Sequence, residues 1–275
     1  MIDLHCHSNF SDGMLTPQAL LAKALDVNIQ ILALTDHDTV EGVKVLREAA
    51  SGYPIKVING IELTTRWKKY DIHILGLNFD IDNEQIQTLI KRQSESRILR
   101  AQQIAEKMKW CGVDNAYEKA CALAGRERIA RPHFAQIFVN EGLTKDLQTA
   151  FKRFLSRGKP AFVPTPWISI PEAVEGIIQA NGCAVIAHPL KYSLTRTKLQ
   201  ELICDFKEAG GVGVEVVSGE MTATQMQEMA GLCLRYELLA STGSDYHGDT
   251  LSRISLGRQQ QLPLNCIPIW HQWIN

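Results

Sequence analysis

Short apolar runs alternate with longer amphipathic stretches along most of the chain. Most of the runs lack the polar alternation of a half-exposed strand, as expected for parallel strands that are buried on both faces. The pattern predicts seven strands: "IDLH" (2–5), "ILALT" (31–35), "KVINGIEL" (56–63), "DIHILGL" (71–77), "AVIAH" (184–188), "VGVEVV" (212–217) and "LLASTGSD" (238–245). Because helical periodicity separates most of them, we predict an α/β barrel or a parallel sheet.

Several connecting segments carry the start signals of helices. In "TPQALLAKALDV", Thr16 is placed as the N-cap and Pro17 at the first helical position. In "DTVEGVKVLREAA", Asp38 and Glu41 have the spacing of a capping box. Further helices are predicted for "SIPEAVEGIIQANG" and "TATQMQEMAGLCLRYE".

One region interrupts the alternation of strands and helices. Between residues 83 and 157 no strand is predicted, and a long polar helix, "NEQIQTLIKRQSESRILRAQQIAEKMKW", is followed by shorter ones. We interpret 83–157 as a helical insertion that contributes to substrate binding, and 1–82 with 158–275 as a barrel. The insertion is rich in basic side chains, among them Arg92, Arg97, Arg100, Arg126, Arg128, Arg131, Arg153 and Arg157. For each arginine alone, a solvated helix face is an adequate explanation.

Composition narrows the class of protein. The chain has 275 residues, 45% hydrophobic and 21% charged, which suits one barrel with an insertion. The net charge is −1, so no global basic field favours binding to long duplexes. The seven cysteines form no CxxC pair, and no signal peptide or 18-residue apolar run occurs. We therefore expect reduced thiols in a soluble, cytoplasmic protein.

Most side chains of the kind that bind metals fall at the ends of predicted strands. They are His5, His7, Asp36, His37, Glu62, His188, Asp245 and His247, while His73 lies within its strand and Asp12 follows the first. In a barrel of parallel strands these ends meet at one rim. Imidazole with carboxylate and without thiolate suits zinc, manganese or iron. Cys6 is expected to point away from His5 and His7, because neighbouring residues of a strand alternate sides.

Six motifs together resemble one family. "DLHCHSNFSDG", "LTDHD", "NGIEL", "DIHILGL", "IAHP" and "GSDYH" are similar to those of the polymerase-and-histidinol-phosphatase (PHP) family of metal-dependent phosphoesterases. The resemblance covers the whole chain. It implies a distorted (β/α)7 barrel with up to three metals at its C-terminal face. Within the family, "RPHFA" and "FLSRGKPAFVP" resemble the ribonuclease AM type of exoribonuclease and the related 3′,5′-nucleotide bisphosphate phosphatases.

The resemblance implies a ligand set for each metal. His5, His7, Glu62 and Asp245 would hold the first, with Glu62 bridging to a second that His73 and His188 complete. Asp12, His37 and His247 would hold a third. Some members place a histidine at the position of Asp12, and an oxygen ligand there favours a harder ion. We therefore expect two to three divalent metals per chain, with manganese preferred over zinc, iron or magnesium.

Two neighbouring aspartates have open roles. Asp36 is a candidate for orienting a ligand histidine, and for Asp38 helix capping is an adequate explanation.

Several divalent ions in one pocket suit the hydrolysis of phosphate esters, because they stabilise both the attacking and the departing oxygen and make hydroxide available near neutral pH. We expect Glu62, Asp245 and His188 to be essential for catalysis, with hydroxide attacking phosphorus. By the same resemblance, Arg131 and His133 would hold a 5′-phosphate, for which a guanidinium fork is well suited. The expected substrates are 3′,5′-bisphosphonucleotides, which lose the 3′-phosphate, and short single-stranded 5′-phosphorylated RNA, degraded 5′ to 3′.

Weaker candidates surround this site. Trp67, Trp167 and Tyr192 are possible stacking partners for a base, and Lys191 and Arg196 are possible neighbours of the site. No membrane and no stable protein partner is implied.

Three other functions remain open. The first is a small-molecule phosphomonoesterase of the histidinol-phosphatase type that uses the same metals. The second is a non-catalytic binding module that keeps the barrel as a scaffold. Every ligand position is filled in this sequence, which argues against such a module. The third is an amidohydrolase-like deacylase, which the Asp245/His247 pair and a bridging Glu62 fit less well.

Overall fold

A computed structural model describes residues 1–125 and 129–273, so Arg126 and Arg128 lie outside the described residues. In these ranges the strands are β1 (Ile2–Asp3), β2 (Ile31–Leu34), β3 (Lys56–Trp67), β4 (Tyr70–Leu77), β5 (Ile168–Ser169), β6 (Cys183–Ile186), β7 (Gly213–Ser218) and β8 (Leu239–Gly243). The α-helices are α1 (Pro17–Asp26), α2 (Glu41–Ala49), α3 (Glu84–Lys109), α4 (Ala116–Ala124), α5 (Arg131–Asn140), α6 (Leu147–Ala150), α7 (Ile170–Gln179), α8 (Arg196–Glu208) and α9 (Ala223–Arg235).

The strands form one sheet with the order β1-β2-β3-β4-β6-β7-β8, and the short β5 pairs with β3. The two ends of this sheet meet beyond β1 and β8. There Leu4 donates a backbone hydrogen bond to Thr242 at 3.0 Å, and Cys6 pairs with Tyr246. The sheet is therefore a nearly closed barrel of seven main strands, which confirms the predicted distorted (β/α)7 fold.

The strand β4 differs from the parallel arrangement. It runs antiparallel to both β3 and β6, and only Lys68 and Lys69 connect it to β3. A connection of two residues can join only antiparallel strands, since a parallel pair needs a crossover of a dozen residues or more. The first half of β4 consequently lies at the same rim as the carboxyl ends of the parallel strands. This is why His73, within its strand, reaches that rim.

The helices α1 and α7 begin where the sequence predicts. Thr16 accepts a hydrogen bond from the backbone of Ala19 at 3.2 Å, with Pro17 as the first residue of α1. Ser169 and Glu172 form a capping box at the start of α7. The buried side chains of α7, among them Val174 and Ile177, join the apolar core around β3, β4 and β6. Each such buried side chain contributes about 1.5–3 kcal/mol to the stability of the fold.

The chain divides into two compact units, one formed by Met1–Ile90 with Ile168–Asn275 and the other by Lys91–Trp167. The barrel and its helices belong to the first. The second has a core of its own, which includes Ile104, Met108, Phe134 and Phe138. Its contribution to substrate binding stays a prediction. Among the described residues, no helix combines the length and the apolar character needed to cross a membrane.

Candidate metal centre

The histidines that follow β1 open the site. His5 and His7 are fully buried, and their Nε2 atoms lie 3.1 Å apart. Between them Cys6 points the other way, into the apolar core, where its thiol donates to the carbonyl of Ala33 at 3.3 Å. The alternation expected for extended backbone therefore places both imidazoles on one side.

Glu62 lies at the centre of the cluster. Its side chain is 1% exposed, and both carboxylate oxygens contact imidazoles from several parts of the barrel. Oε1 lies 2.8 Å from His73 Nδ1 and 2.9 Å from His188 Nε2. Oε2 lies 3.1 Å from His7 Nε2 and 3.2 Å from both His5 Nε2 and His37 Nδ1. One carboxylate thus stands between five imidazoles.

The structure brings all nine predicted ligand residues together. Their donor atoms form four groups, each within 4.8 Å: His7, Asp12, His37 and His247; His5, His7 and Asp245; His5, Glu62 and His188; His37, Glu62 and His73. Because Glu62, His5, His7 and His37 each belong to two groups, the groups are contiguous. Such an arrangement can hold neighbouring cations that share ligands.

Asp245 and Asp12 supply further oxygens. Asp245 Oδ1 lies 3.3 Å from the Nε2 atoms of both His5 and His7, and Oδ2 accepts from the ammonium of Lys191. Asp12 lies on the exposed side, with Oδ1 at 3.3 Å from His247 Nε2. Lys191, a weak candidate from the sequence, therefore contacts the cluster directly.

A carboxylate that the sequence analysis missed supports two of these histidines. Glu215, in the middle of β7, is fully buried, and its Oε1 lies 2.9 Å from His5 Nδ1. Its Oε2 accepts from the backbone N–H of His188 at 2.6 Å. The available signal was a single acidic residue in the apolar run "VGVEVV", since a buried carboxylate requires partners.

Asp36 and Asp38, whose roles the sequence left open, bind the backbone around the cluster. Asp36 accepts from the backbone N–H and hydroxyl of Ser8 at 2.8 and 2.6 Å and from the hydroxyl of Ser11 at 2.6 Å. It thereby fixes the loop after His7, and Ser11 Oγ lies 3.4 Å from His7 Nδ1.

The capping assignment of Asp38 is wrong. Its carboxylate accepts from the backbone N–H and hydroxyl of Thr64 at 2.9 and 3.2 Å, while α2 begins after Val40 without a side-chain cap. The partner on β3 is distant in sequence, so local spacing could not reveal it.

The charges of the cluster shift several pKa values. Burial raises the pKa of Glu62 and of Asp245, but the surrounding histidines outweigh it and hold both pKa values well below the ordinary range. Burial lowers the pKa of His7, and the nearby carboxylates more than compensate, raising it to about 10. For His37, burial prevails and lowers the pKa to about 3. Without metal, Glu62 and Asp245 are thus ionised, His7 is a charged imidazolium and His37 is neutral. A cation that binds to His7 would displace its extra proton.

Arg131 and His133 lie in the second compact unit, at the start of α5. Both are partly exposed. The ring Nδ1 of His133 accepts from the backbone N–H of Ala130 at 2.9 Å, so this imidazole caps the helix. The expected role of the pair in binding a 5′-phosphate stays a prediction.

Two of the three aromatic candidates for base stacking have structural roles. Trp67 is 6% exposed and donates to Asp205 at 2.7 Å. The hydroxyl of Tyr192 accepts from the backbone N–H of His73 at 2.8 Å and donates to the carbonyl of Ala187 at 2.9 Å. Trp167, in the second unit, is buried beside two guanidinium groups.

Comparison with known proteins decides the family. Residues 3–160 match the model of the PHP domain. A 5′-3′ exoribonuclease of Haemophilus influenzae is 41% identical over 98% of both chains. A 3′,5′-nucleoside bisphosphate phosphatase of Chromobacterium violaceum is 38% identical over 98% of this chain and 95% of that one. The chain belongs to the PHP family. This PHP protein is accordingly a hydrolase, a metal-dependent phosphoesterase.

A solved structure agrees with the fold of this PHP protein. It is described as an amidohydrolase from Chromobacterium violaceum with bound sulfate and no metal. It covers 98% of this chain, at 38% identity and a TM-score of 0.89. That relative therefore binds a sulfate ion.

The donor set of the centre fits divalent cations. It consists of imidazole nitrogens and carboxylate oxygens, four of the nine residues are buried, and Cys6 is directed away. Within the described residues, the buried Nδ1 of His188 has no hydrogen-bond partner. A buried polar atom without a partner is costly unless a ligand engages it.

Proposed function

We propose that this PHP protein hydrolyses 3′,5′-bisphosphonucleotides to release the 3′-phosphate. We propose further that it removes 5′-mononucleotides successively from short 5′-phosphorylated RNA. The observation that carries the proposal is the position of Glu62, whose two carboxylate oxygens contact five imidazoles. The similarity to a 5′-3′ exoribonuclease and to a 3′,5′-nucleoside bisphosphate phosphatase supports the substrate class.

The ligands are assigned as follows. His5, His7, Glu62 and Asp245 hold one cation, Glu62, His73 and His188 a second, and Asp12, His37 and His247 a third. Two to three ions therefore bind per chain. Manganese is preferred, because carboxylate oxygens from Glu62, Asp245 and Asp12 accompany the imidazoles.

Cations in this centre supply Lewis acidity toward phosphate oxygens and a source of hydroxide near neutral pH. The chain itself contributes position. Glu62 joins the group that contains His5 and His188 to the group that contains His37 and His73. Glu215 orients His5. Lys191, which contacts Asp245, places a positive charge at the edge of the centre, where a phosphate oxygen would be stabilised.

Both substrates follow one chemical course. Water adds to phosphorus and the bond from phosphorus to the 3′-oxygen breaks, so the nucleotide keeps its 5′-phosphate and gains a 3′-hydroxyl. In the bisphosphonucleotide the other product is inorganic phosphate, and in RNA it is the shortened chain with a new 5′-phosphate. Arg131 and His133 are proposed to hold the 5′-phosphate that the substrates share. The seven cysteines are free thiols, which supports the proposed cytoplasmic location.

The test is product analysis with Mn²⁺. A 5′-phosphorylated RNA oligomer, a 3′,5′-bisphosphonucleotide and histidinol phosphate are offered separately to the purified protein and to Glu62→Gln. We expect 5′-mononucleotides from the RNA, inorganic phosphate from the bisphosphonucleotide, and no turnover by the variant. If the protein hydrolyses histidinol phosphate efficiently and hydrolyses neither the RNA nor the bisphosphonucleotide, the proposal is contradicted and the small-molecule phosphatase is favoured.

A further inference from the structure

A small cavity adjoins the metal centre on the side of β7. It lies between the end of β7, the short 3₁₀ segment Pro189–Tyr192 and the first turn of α9. Its volume is about 110 Å³. The lining includes His188, Pro189, Lys191, Ser218, Met221 and Gln225.

Two lining residues also belong to the environment of the metal centre. His188 Nε2 lies 2.9 Å from Glu62 Oε1, and the ammonium of Lys191 pairs with Asp245. These two residues therefore border both the cavity and the metal centre. The part of a phosphate ester that a cavity next to the centre can receive is the group bonded directly to the phosphate.

The volume limits what this group can be. An enclosed cavity of about 150 Å³ holds one benzene molecule. A cavity of about 110 Å³ that opens to one side therefore suits a single ring of five or six atoms and is too small for a purine. In a nucleotide, the single ring next to the 3′-phosphate is the sugar.

One lining residue also has a buried hydroxyl that is not hydrogen-bonded within the described residues. Ser218 is 5% exposed, and its hydroxyl has no hydrogen-bond partner within the described residues, although its backbone N–H donates to Met221 Sδ at 3.2 Å. A buried hydroxyl without a partner costs about 1–3 kcal/mol. A ligand that brings a hydroxyl of its own would remove this cost. Pro189 and Met221 provide apolar walls that suit the C–H face of a sugar.

We propose that this cavity binds the ribose ring next to the scissile phosphate, with the hydroxyl of Ser218 hydrogen-bonded to the ribose 2′-hydroxyl. The assignment rests on the proposed function and adds a residue that distinguishes ribonucleotides from deoxyribonucleotides. The 2′-hydroxyl is the group by which proteins make this distinction. It is vicinal to the departing 3′-oxygen, so holding it also positions the bond that breaks.

The experiment compares two substrates on four proteins. A 3′,5′-bisphosphonucleotide and its 2′-deoxy counterpart are hydrolysed by the wild type, Ser218→Ala, Ser218→Cys and the control Ser241→Ala, each with Mn²⁺. Ser241 is a matched control because it is fully buried, its hydroxyl also lacks a partner within the described residues, and it is outside the lining. Inhibition by the two 5′-monophosphate products is measured in parallel, which reports binding without turnover.

The wild type and Ser241→Ala should prefer the ribose substrate, on the order of five- to tenfold in kcat/KM, the effect of one hydrogen bond. Both Ser218 variants should lose this preference by losing rate on the ribose substrate alone, and the inhibition constants should follow. Loss of rate on both substrates with an unchanged ratio would overturn the assignment, as would a wild type without preference. If the wild type hydrolyses neither substrate, the proposed function fails as well, so the two failures are distinguishable.

Discussion

Glu215 Oε1 lies 2.9 Å from Nδ1 of His5. A carboxylate oxygen accepts hydrogen bonds, so His5 donates through Nδ1 and directs Nε2 to the centre of the cluster. The other oxygen of Glu215 holds the backbone of His188, so one buried side chain positions two predicted ligands.

The contact between Glu215 and His5 predicts the effect of Glu215→Gln. The amide can present its N–H₂ group to His5 and no longer fixes one orientation of the ring, so metal affinity should fall about 10- to 100-fold. Competition with a chromophoric chelator measures this. Glu228→Gln removes the same charge from the exposed face of α9 and should have no effect. Equal affinities for wild type and Glu215→Gln would show that Glu215 does not orient the ligands.

The shifted histidines predict how the metal-free protein responds to pH. The pKa of His7 is raised to about 10, so its stabilising contribution is full below 6.5 and is lost as the pH rises from 6.5 to about 10. The pKa of His37 is lowered to about 3, so the fold loses stability as the pH falls from 6.5 toward 3. Urea unfolding of chelator-treated protein should therefore give its highest midpoint near pH 6.5.

Added Mn²⁺ should change the alkaline half of this profile. Ligands must be deprotonated to bind a cation, so metal stabilises more as the pH rises. The midpoint should then stay level or rise above pH 6.5. An alkaline loss of stability that is the same with and without Mn²⁺ would argue against metal at His7.

The loop after His7 depends on Asp36. Asp36→Ala removes three hydrogen bonds to a fully buried carboxylate, and two serine hydroxyls lose their acceptor. We expect the free energy of unfolding to fall by about 2–4 kcal/mol, as measured by urea denaturation. Asp26→Ala, at the end of α1, should change it little. A loss below 1 kcal/mol at Asp36, on the order of one ordinary hydrogen bond, would mean that the loop is held by other contacts.

Arg131 predicts a difference between substrates. If its guanidinium binds the 5′-phosphate, Arg131→Ala should lower kcat/KM by at least about tenfold for the bisphosphonucleotide and the 5′-phosphorylated RNA. An aryl phosphate has no second phosphate, so its hydrolysis should change little. Arg153→Ala, an exposed arginine of the same unit, is the control. Equal losses on all three substrates would defeat the 5′-phosphate role.

The sequence was sufficient for the barrel because most of its strands are short apolar runs that helical segments separate. It was insufficient for the direction of β4, for which the seven-residue gap between the predicted strands at 63 and 71 was the usable signal. The helix α8 was absent from the predicted elements, although Leu199, Leu202, Ile203 and Phe206 are buried at helical spacing. Local patterns therefore predicted most elements. The direction of β4 depended instead on the length of its connection to β3.

For the site, the sequence placed nine residues that the fold brings together, since strand ends converge at one rim whatever the details of the packing. The supporting residues were harder to predict. Glu215 acts through the neighbouring segments that carry His5 and His188, and Asp38 acts through Thr64 on another strand. Such contacts depend on which strands are adjacent, and no local spacing encodes that.

The most direct test of the account is the metal content of the protein. Wild type and Glu62→Gln are incubated with Mn²⁺, dialysed and analysed by inductively coupled plasma mass spectrometry. Glu62 contacts five imidazoles, and the substitution Glu62→Gln removes no apolar group from the core. The variant should therefore fold with a similar circular dichroism spectrum. We predict about two to three ions per wild-type chain and a loss of at least one in Glu62→Gln. A wild type that retains no divalent ion, or a variant with wild-type content, would contradict it.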